Sequence, residues 1–174
     1  MTAFVEPPLP EVIRRIANSD DRRLAWEFFV FFARFEYALK RVKRYLKPVD
    51  KAEANWDRFA SDFNKQFNPC ATPELGNAIA YFQREPPRKQ LQANGVLDWS
   101  DPLSFQGNEP FLVWLLRVVR TVRNNLFHGG KFPLIPISEP SRDRELLTNA
   151  ITILAACLPL DQQVSDYFVE GIED

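Results

Sequence analysis

The side chains that could do chemistry are concentrated in residues 117–130. This segment contains three arginines, two asparagines, the only histidine of the chain and a double glycine. An imidazole titrates near neutral pH and is suited to proton transfer, whereas a guanidinium binds phosphate through two parallel hydrogen bonds. On a helix with about 100° per residue, one side carries Arg117, Arg120, Thr121, Asn124 and His128, with Arg123 at its edge. One helix end therefore presents an imidazole, a guanidinium and a carboxamide together.

A helix must position these groups, and its apolar side is readable in the same segment. The apolar positions recur at helical spacing and fall within about 100° of one another, as expected for a face that packs on a core. They are Phe111, Leu115, Val118, Val119, Val122 and Leu126. Gly129 and Gly130 follow, and glycine readily takes the positive φ that ends many helices. The pattern predicts an amphipathic helix that opens at Glu109-Pro110 and ends beside His128.

The run Arg123-Asn124-Asn125-Leu126-Phe127-His128 has the form Arg, four residues, His, with Asn directly after the Arg. It resembles the signature of the HEPN superfamily, small all-helical domains that are common among prokaryotic RNase toxins and defence proteins. An earlier helix that contains residues 35–40 also looks like the first helix of such domains. The resemblance covers residues 20–160. It implies a dimer in which two motifs face one cleft, no metal ion, and often a neutralising antitoxin, commonly a minimal nucleotidyltransferase.

Metal-free RNA cleavage needs a base for the 2′-hydroxyl, an acid for the leaving 5′-oxygen and a cation for the charged phosphorane. The hypothesis is a metal-independent endoribonuclease of toxin or defence type. Arg123 would bind the scissile phosphate, His128 would be the general acid and base, and Asn124 would orient them. Arg117, Arg120 and Lys131 are expected to bind the RNA. Glu36 is expected to support the site by pairing with Arg123. One histidine for two proton transfers favours a homodimer with a shared site.

Two other interpretations of the same segment stay open. One is a non-catalytic HEPN-like module that binds RNA, nucleotide or protein and dimerises. The other is purely structural, because a histidine before a helix-ending glycine is a common cap that the helix dipole favours. Arginines on an outer helix face are usually solvated, and Glu36 could equally form a plain buried salt bridge with Arg123.

Composition limits the possible classes of function. The chain has 174 residues, 45% of them hydrophobic, and a formal net charge of −1, which is enough for one domain with its own core. Contact with RNA must therefore be local, since a protein that binds nucleic acid through bulk charge is more basic. Two isolated cysteines without CxxC spacing favour a reducing compartment over a disulfide framework. Together with a single histidine, they argue against a zinc cage within one chain. We expect a cytoplasmic protein with no membrane segment, metal or cofactor.

The fold expected is a single all-α domain, a mainly up-and-down bundle of about five helices. Residues 1–19 form an N-terminal arm, residues 20–160 the HEPN-like domain and residues 161–174 an acidic tail with one helical turn around Tyr167 and Phe168. The helices are predicted at about 21–46, 52–67, 72–84, 109–128 and 141–158. Residues 85–110 are expected to be mostly loop, without strand-like alternation. This segment could fold over the site or simply cover the core, and cover of the core is the favoured prediction. The first helix is apolar on two sides, so it needs either further helices or a second subunit.

Overall fold

The computed structural model describes residues 19–127 and 140–171. The helical elements, named in chain order, are α1 (Ser19–Arg41), α2 (Trp56–Phe63), α3 (Pro73–Arg84), α4 (Phe111–Phe127), α5 (Pro140–Cys157) and α6 (Gln162–Val169). A two-stranded antiparallel hairpin, β1 (Gln90–Ala93) and β2 (Val96–Trp99), separates α3 from α4. The predicted all-α class is confirmed, with six α-helices in the described ranges instead of about five. In this part of the chain, none of the helices is both long and apolar enough to span a membrane.

The core forms where the apolar faces of these helices meet. Helix α1 packs along α5 and α6, α3 packs along α5, and α2 packs along α4, which also contacts α5. Helix α4 is buried on most sides, and its fully or almost fully buried side chains are Leu112, Trp114, Leu115, Leu116, Val118 and Val119. Of the predicted apolar stripe, Phe111 and Leu126 are only half-buried, and the other four positions belong to the core. Most of the segment with the candidate chemistry therefore belongs to a helix that is buried in the core.

The first helix is shorter than predicted, and the prediction that it runs to Leu46 is wrong. Helix α1 ends at Arg41, Val42 is extended (φ −87°, ψ 108°), and a 3-10 turn, Lys43–Tyr45, follows. The turn buries Tyr45 completely and lets its hydroxyl donate to Asp161 at 3.3 Å. Burying this aromatic ring outweighs the continuation of a basic, solvated helix.

The second helix is also shorter than the predicted range 52–67, since α2 spans Trp56–Phe63. Its late start is fixed by a local cap and a backbone bridge. Residue Ala54 pairs with Leu46 in an isolated antiparallel bridge, and the Asn55 side chain accepts a hydrogen bond from Arg58 N at 3.1 Å. This is an N-cap, and α2 begins directly after it. For α3 the predicted start is confirmed, since the Thr72 hydroxyl accepts from Leu75 N at 3.2 Å and proline follows at the first helical position.

The segment 85–110 contains a hairpin, so the prediction that it lacks strands is wrong. The turn is Asn94-Gly95, with φ of 53° and 80°. An Asn-Gly pair with positive φ at both residues closes a two-residue hairpin whose twist matches the strands. The prediction that the segment covers the core is confirmed for its second half, where Leu103 and Phe105 pack against the core. The Trp114 indole N–H donates to the carbonyl of Leu103 at 2.6 Å.

The last two helices complete the packing around α1. Helix α5 begins at Pro140, so Ser141 lies inside its first turn and is not the cap that was predicted. The predicted helical turn around Tyr167 and Phe168 is confirmed as α6, whose N-cap Asp161 accepts from Val164 N at 3.1 Å. Helix α6 is held on α1 by Arg34, whose guanidinium donates to the carbonyls of Tyr167, Phe168 and Glu170.

Candidate functional site

The last turns of α4 place Arg123 over an aromatic cluster. The Arg123 guanidinium carbon lies 5.4 Å from the centre of the Phe32 ring of α1, within the range of a cation–π contact. The Phe32 ring stacks in turn on Trp56, with ring centres 5.0 Å apart. Such a contact restrains the long arginine side chain. Arg123 is therefore directed by the packing of α1 and α2 as well as by its own helix.

Asn124 is exposed and adjoins this guanidinium. An Arg123 Nη1 group donates to Asn124 Oδ1 at 3.0 Å. The carboxamide nitrogen of Asn124 can still donate to a ligand oxygen, since an amide carries both an acceptor and two donors. The structure thus brings together two of the three residues predicted to be catalytic.

His128 and Lys131 lie outside the described residues. Their predicted roles, as general acid and base and as an RNA contact, stay predictions. Helix α4 is described through Phe127, the residue immediately before His128. The structure therefore describes the first five residues of the six-residue motif, Arg123 to Phe127.

The two arginines predicted to contact RNA are held by carboxylates of this chain. Arg117 forms a two-contact ion pair with Glu109, one contact being 2.8 Å, and Arg120 donates to Asp57 of α2 at 3.1 Å. Each pair offsets the positive charge that a phosphate would need. The predicted cationic side of α4 is thus largely neutralised up to Arg120.

Glu36, the predicted support for Arg123, has a different partner. Its carboxylate lies 3.6 Å from Lys40 Nζ, one helical turn further along α1. Both side chains are about 30% exposed, at 29% and 32%, so the pair is neither deeply buried nor strongly coupled. The Glu36–Arg123 pair is not among the ion pairs found in the described ranges.

One polar residue that the sequence analysis did not select, Asn125, links the site to the hairpin segment. It is 7% exposed, and its Nδ2 group donates to the carbonyl of Arg88 at 2.8 Å. The sequence did contain a signal for this residue. Asn125 follows Val118 by seven residues and Val122 by three, so helical spacing places its polar group on the apolar face. Thr121, predicted on the polar side, is also buried, and its hydroxyl donates to the carbonyl of Arg117 at 3.0 Å.

Comparison with protein-family models, curated proteins and solved structures found no match for this chain. The HEPN resemblance therefore depends on the residues of the motif and on their position at the end of a buried helix.

Proposed function

We propose that this protein is a metal-independent endoribonuclease of toxin or defence type, acting in the cytoplasm as a homodimer. The observation that carries the proposal is the pairing of Arg123 with Asn124 at the end of α4, five and four residues before His128 in the sequence. A guanidinium and a carboxamide at this spacing suit the binding of a scissile phosphate beside an imidazole. A neighbouring antitoxin, such as a minimal nucleotidyltransferase, is the expected partner.

In the proposed reaction His128 of one subunit removes the proton of the 2′-hydroxyl, and the resulting oxygen attacks the adjacent phosphorus. The bond from phosphorus to the 5′-oxygen breaks, and a protonated His128 of the other subunit gives its proton to that oxygen. Arg123 stabilises the additional negative charge of the phosphorane. The products are a 2′,3′-cyclic phosphate and a 5′-hydroxyl end.

A second candidate function is a non-catalytic module that binds RNA, nucleotide or protein and dimerises. The observation that favours it is the engagement of Arg117 by Glu109 and of Arg120 by Asp57. These pairs leave fewer cations to hold an RNA backbone across the face of α4.

The test is RNA cleavage by the purified full-length protein in the presence of EDTA. Arg123→Ala and His128→Ala should each lower the rate by on the order of 10²-fold or more, the scale of losing an acid–base or charge-stabilising group. Arg58→Ala is the matched control, because this exposed arginine of α2 pairs only locally, with Asp62 at 3.0 Å. Its cleavage rate should equal that of the wild type.

The identity of the products and the effect on cells complete the test. Mass spectrometry should find cyclic phosphate or its opened form, and expression of the wild type but not of His128→Ala should arrest growth. Folded Arg123→Ala and His128→Ala variants that cleave RNA at the wild-type rate would refute the proposed mechanism. Tight RNA binding without cleavage of any RNA would instead support the binding module.

A further inference from the structure

A polar cleft, separate from the candidate site on α4, lies between α3 and the first turns of α5. Its volume is about 430 Å³, and the residues that line it are Tyr81, Arg84, Glu85, Ser141, Arg142 and Glu145. None of these residues belongs to the Arg123–His128 motif. The cleft combines two guanidiniums, two carboxylates and two hydroxyls, and ligand sites typically place a few convergent polar groups in such a concave surface.

The Tyr81 hydroxyl is the first sign that the cleft accepts a ligand. Tyr81 is 7% exposed, and its buried hydroxyl has no hydrogen-bond partner in the part of the chain that the structure describes. Buried polar groups are almost always hydrogen-bonded, so an exception calls for a missing partner. Burial raises the pKa of Tyr81, and the charges that act on its hydroxyl are those of the cleft residues. The phenol therefore stays protonated at neutral pH and can donate a hydrogen bond to an acceptor in the cleft.

Glu85 is the second sign, because its carboxylate already bridges the two guanidiniums. Arg84 Nε donates to Glu85 Oε1 at 3.2 Å, and an Arg142 Nη1 group donates to Oε2 at 3.0 Å. The Glu85 side chain is 43% exposed, so it can swing into solvent. A phosphate group that replaced it would receive both guanidiniums in the fork geometry that they favour.

The start of α5 adds a third contribution. Ser141 lies in the first turn of this helix of 18 residues. The amide groups of a first helical turn and the helix dipole both favour an anion. The helix start strengthens an anion site that the Tyr81 hydroxyl and the Glu85 bridge indicate independently.

We propose that the cleft between α3 and α5 is a phosphate-binding site in which Arg84, Arg142 and the Tyr81 hydroxyl hold the anion. Glu85 is its internal competitor and occupies the position between the guanidiniums when no phosphate is bound. The phosphate belongs either to a free phosphate or mononucleotide, or to an RNA backbone.

The alternative that the phosphate belongs to an RNA backbone rests on the proposed function. One contact in the structure bears on it. Asn125 of α4 binds the carbonyl of Arg88, and Arg88 follows Glu85 by three residues. Three residues span at most about 10 Å, so the cleft lies close to the end of α4. Arg123 lies about 200° around α4 from Asn125, so an RNA strand held at Arg123 would have to pass around the end of this helix to reach the cleft.

The experiment measures binding of inorganic phosphate, AMP and a short single-stranded RNA to the full-length protein by calorimetry. Arg142→Gln should weaken phosphate binding by about tenfold, the scale of one charge-assisted hydrogen bond. Tyr81→Phe, which removes a single oxygen, should weaken it by several-fold. Glu85→Gln should strengthen it by about tenfold, because the internal anion is lost. Arg58→Gln makes the same change of charge as Arg142→Gln on α2 and should bind as the wild type does.

The opposite responses of Glu85→Gln and Arg142→Gln make the proposal falsifiable, and circular dichroism checks that each variant is folded. Absence of phosphate binding at millimolar concentration, or unchanged affinity in both variants, would overturn it. Binding of phosphate and AMP without RNA identifies a free ligand. Salt-dependent RNA binding that Arg142→Gln weakens identifies the backbone. Because cleavage is assigned to Arg123 and His128, an inactive protein that still binds phosphate in this pattern refutes the proposed function alone.

Discussion

The two cysteines show how burial separates residues of the same type. Cys70 is exposed, Cys157 is completely buried, and both are free thiols. Burial raises the pKa of Cys157, because the thiolate would lose its hydration.

A thiol reagent should therefore distinguish the two residues. At pH 8 the native protein should react quickly at Cys70 only, since the thiolate is the reactive species and Cys157 is both buried and protonated. In denaturant both thiols should react. Mass mapping of the labelled peptides checks the assignment, and rapid labelling of Cys157 in the native protein would show that this part of the core is open.

The folded protein should lose stability at alkaline pH because two of its tyrosines are buried. Burial raises the pKa of Tyr45 and of Tyr81, and for Tyr45 the nearby Arg44 partly opposes the effect. Above pH 10, the ordinary tyrosine pKa, the unfolded chain releases these protons while the folded chain retains them. The unfolded state then binds fewer protons, so the free energy of unfolding falls as pH rises through this range.

Urea unfolding between pH 8 and 11 in phosphate-free buffer measures this slope. Each fully shifted tyrosine contributes up to about 1.4 kcal/mol per pH unit, so Tyr81→Phe should flatten the curve above pH 10. At neutral pH the same substitution should cost little stability, because it removes a hydroxyl without a partner. An unchanged alkaline slope in Tyr81→Phe would show that the hydroxyl is not buried.

At the scale of elements, two glycines in different backbone conformations determine how a helix and a hairpin respond to alanine. Gly76 lies in α3, and a methyl group at this position meets no atom within 4 Å. Gly95 lies in the hairpin turn with a φ of +80°. Glycine in a helix costs conformational entropy, whereas at positive φ it avoids a steric clash.

Gly76→Ala should therefore stabilise the protein by about 0.5–1 kcal/mol. Gly95→Ala should destabilise the hairpin by about 1–2 kcal/mol. Thermal unfolding reports the first effect. Amide exchange of Gln90–Ala93 and Val96–Trp99 reports the second, which can stay local because an isolated hairpin is only marginally stable. A stabilising Gly95→Ala substitution would contradict the assigned turn.

At the scale of the whole molecule, helix α1 carries three large apolar side chains that are each more than a third exposed. Trp26 is 64% exposed, Phe29 38% and Val30 40%. Contiguous exposed apolar side chains often mark a contact with another protein. This surface supports the proposed homodimer, which also provides the second histidine that the proposed reaction needs.

The dimer proposal predicts that an inactive subunit poisons an active one. The wild type should run as a dimer in light scattering. An equal co-expressed mixture of wild-type and His128→Ala chains should retain only about a quarter of the cleavage rate of the same total amount of wild type, because a shared cleft with one histidine lacks either the base or the acid of the proposed reaction. A mixture of wild-type and Arg58→Ala chains is the control and should keep the full rate. A monomer that cleaves RNA at the wild-type rate would refute the shared site.

The sequence alone determined the helical class and most of the core. Helical periodicity predicts the buried face of α4, because a continuous apolar stripe has to be removed from water whatever its partner is. Local rules predict the start of α3 at Thr72-Pro73, since a cap needs only neighbouring residues. The Asn-Gly turn was also present in the sequence, and the hairpin could have been predicted from it.

The tertiary structure alone decided the features that depend on distant residues. Helix α1 stops early because Tyr45 reaches Asp161, 116 positions away. The contact of Arg120 with Asp57 across 63 positions, and the bridge from Glu85 to Arg142 across 57 positions, likewise follow from how the helices pack. Periodicity reports which face of a helix is buried but not which charged side chain lies opposite. The partners of the arginines, and with them the phosphate cleft, therefore appear only in the assembled fold.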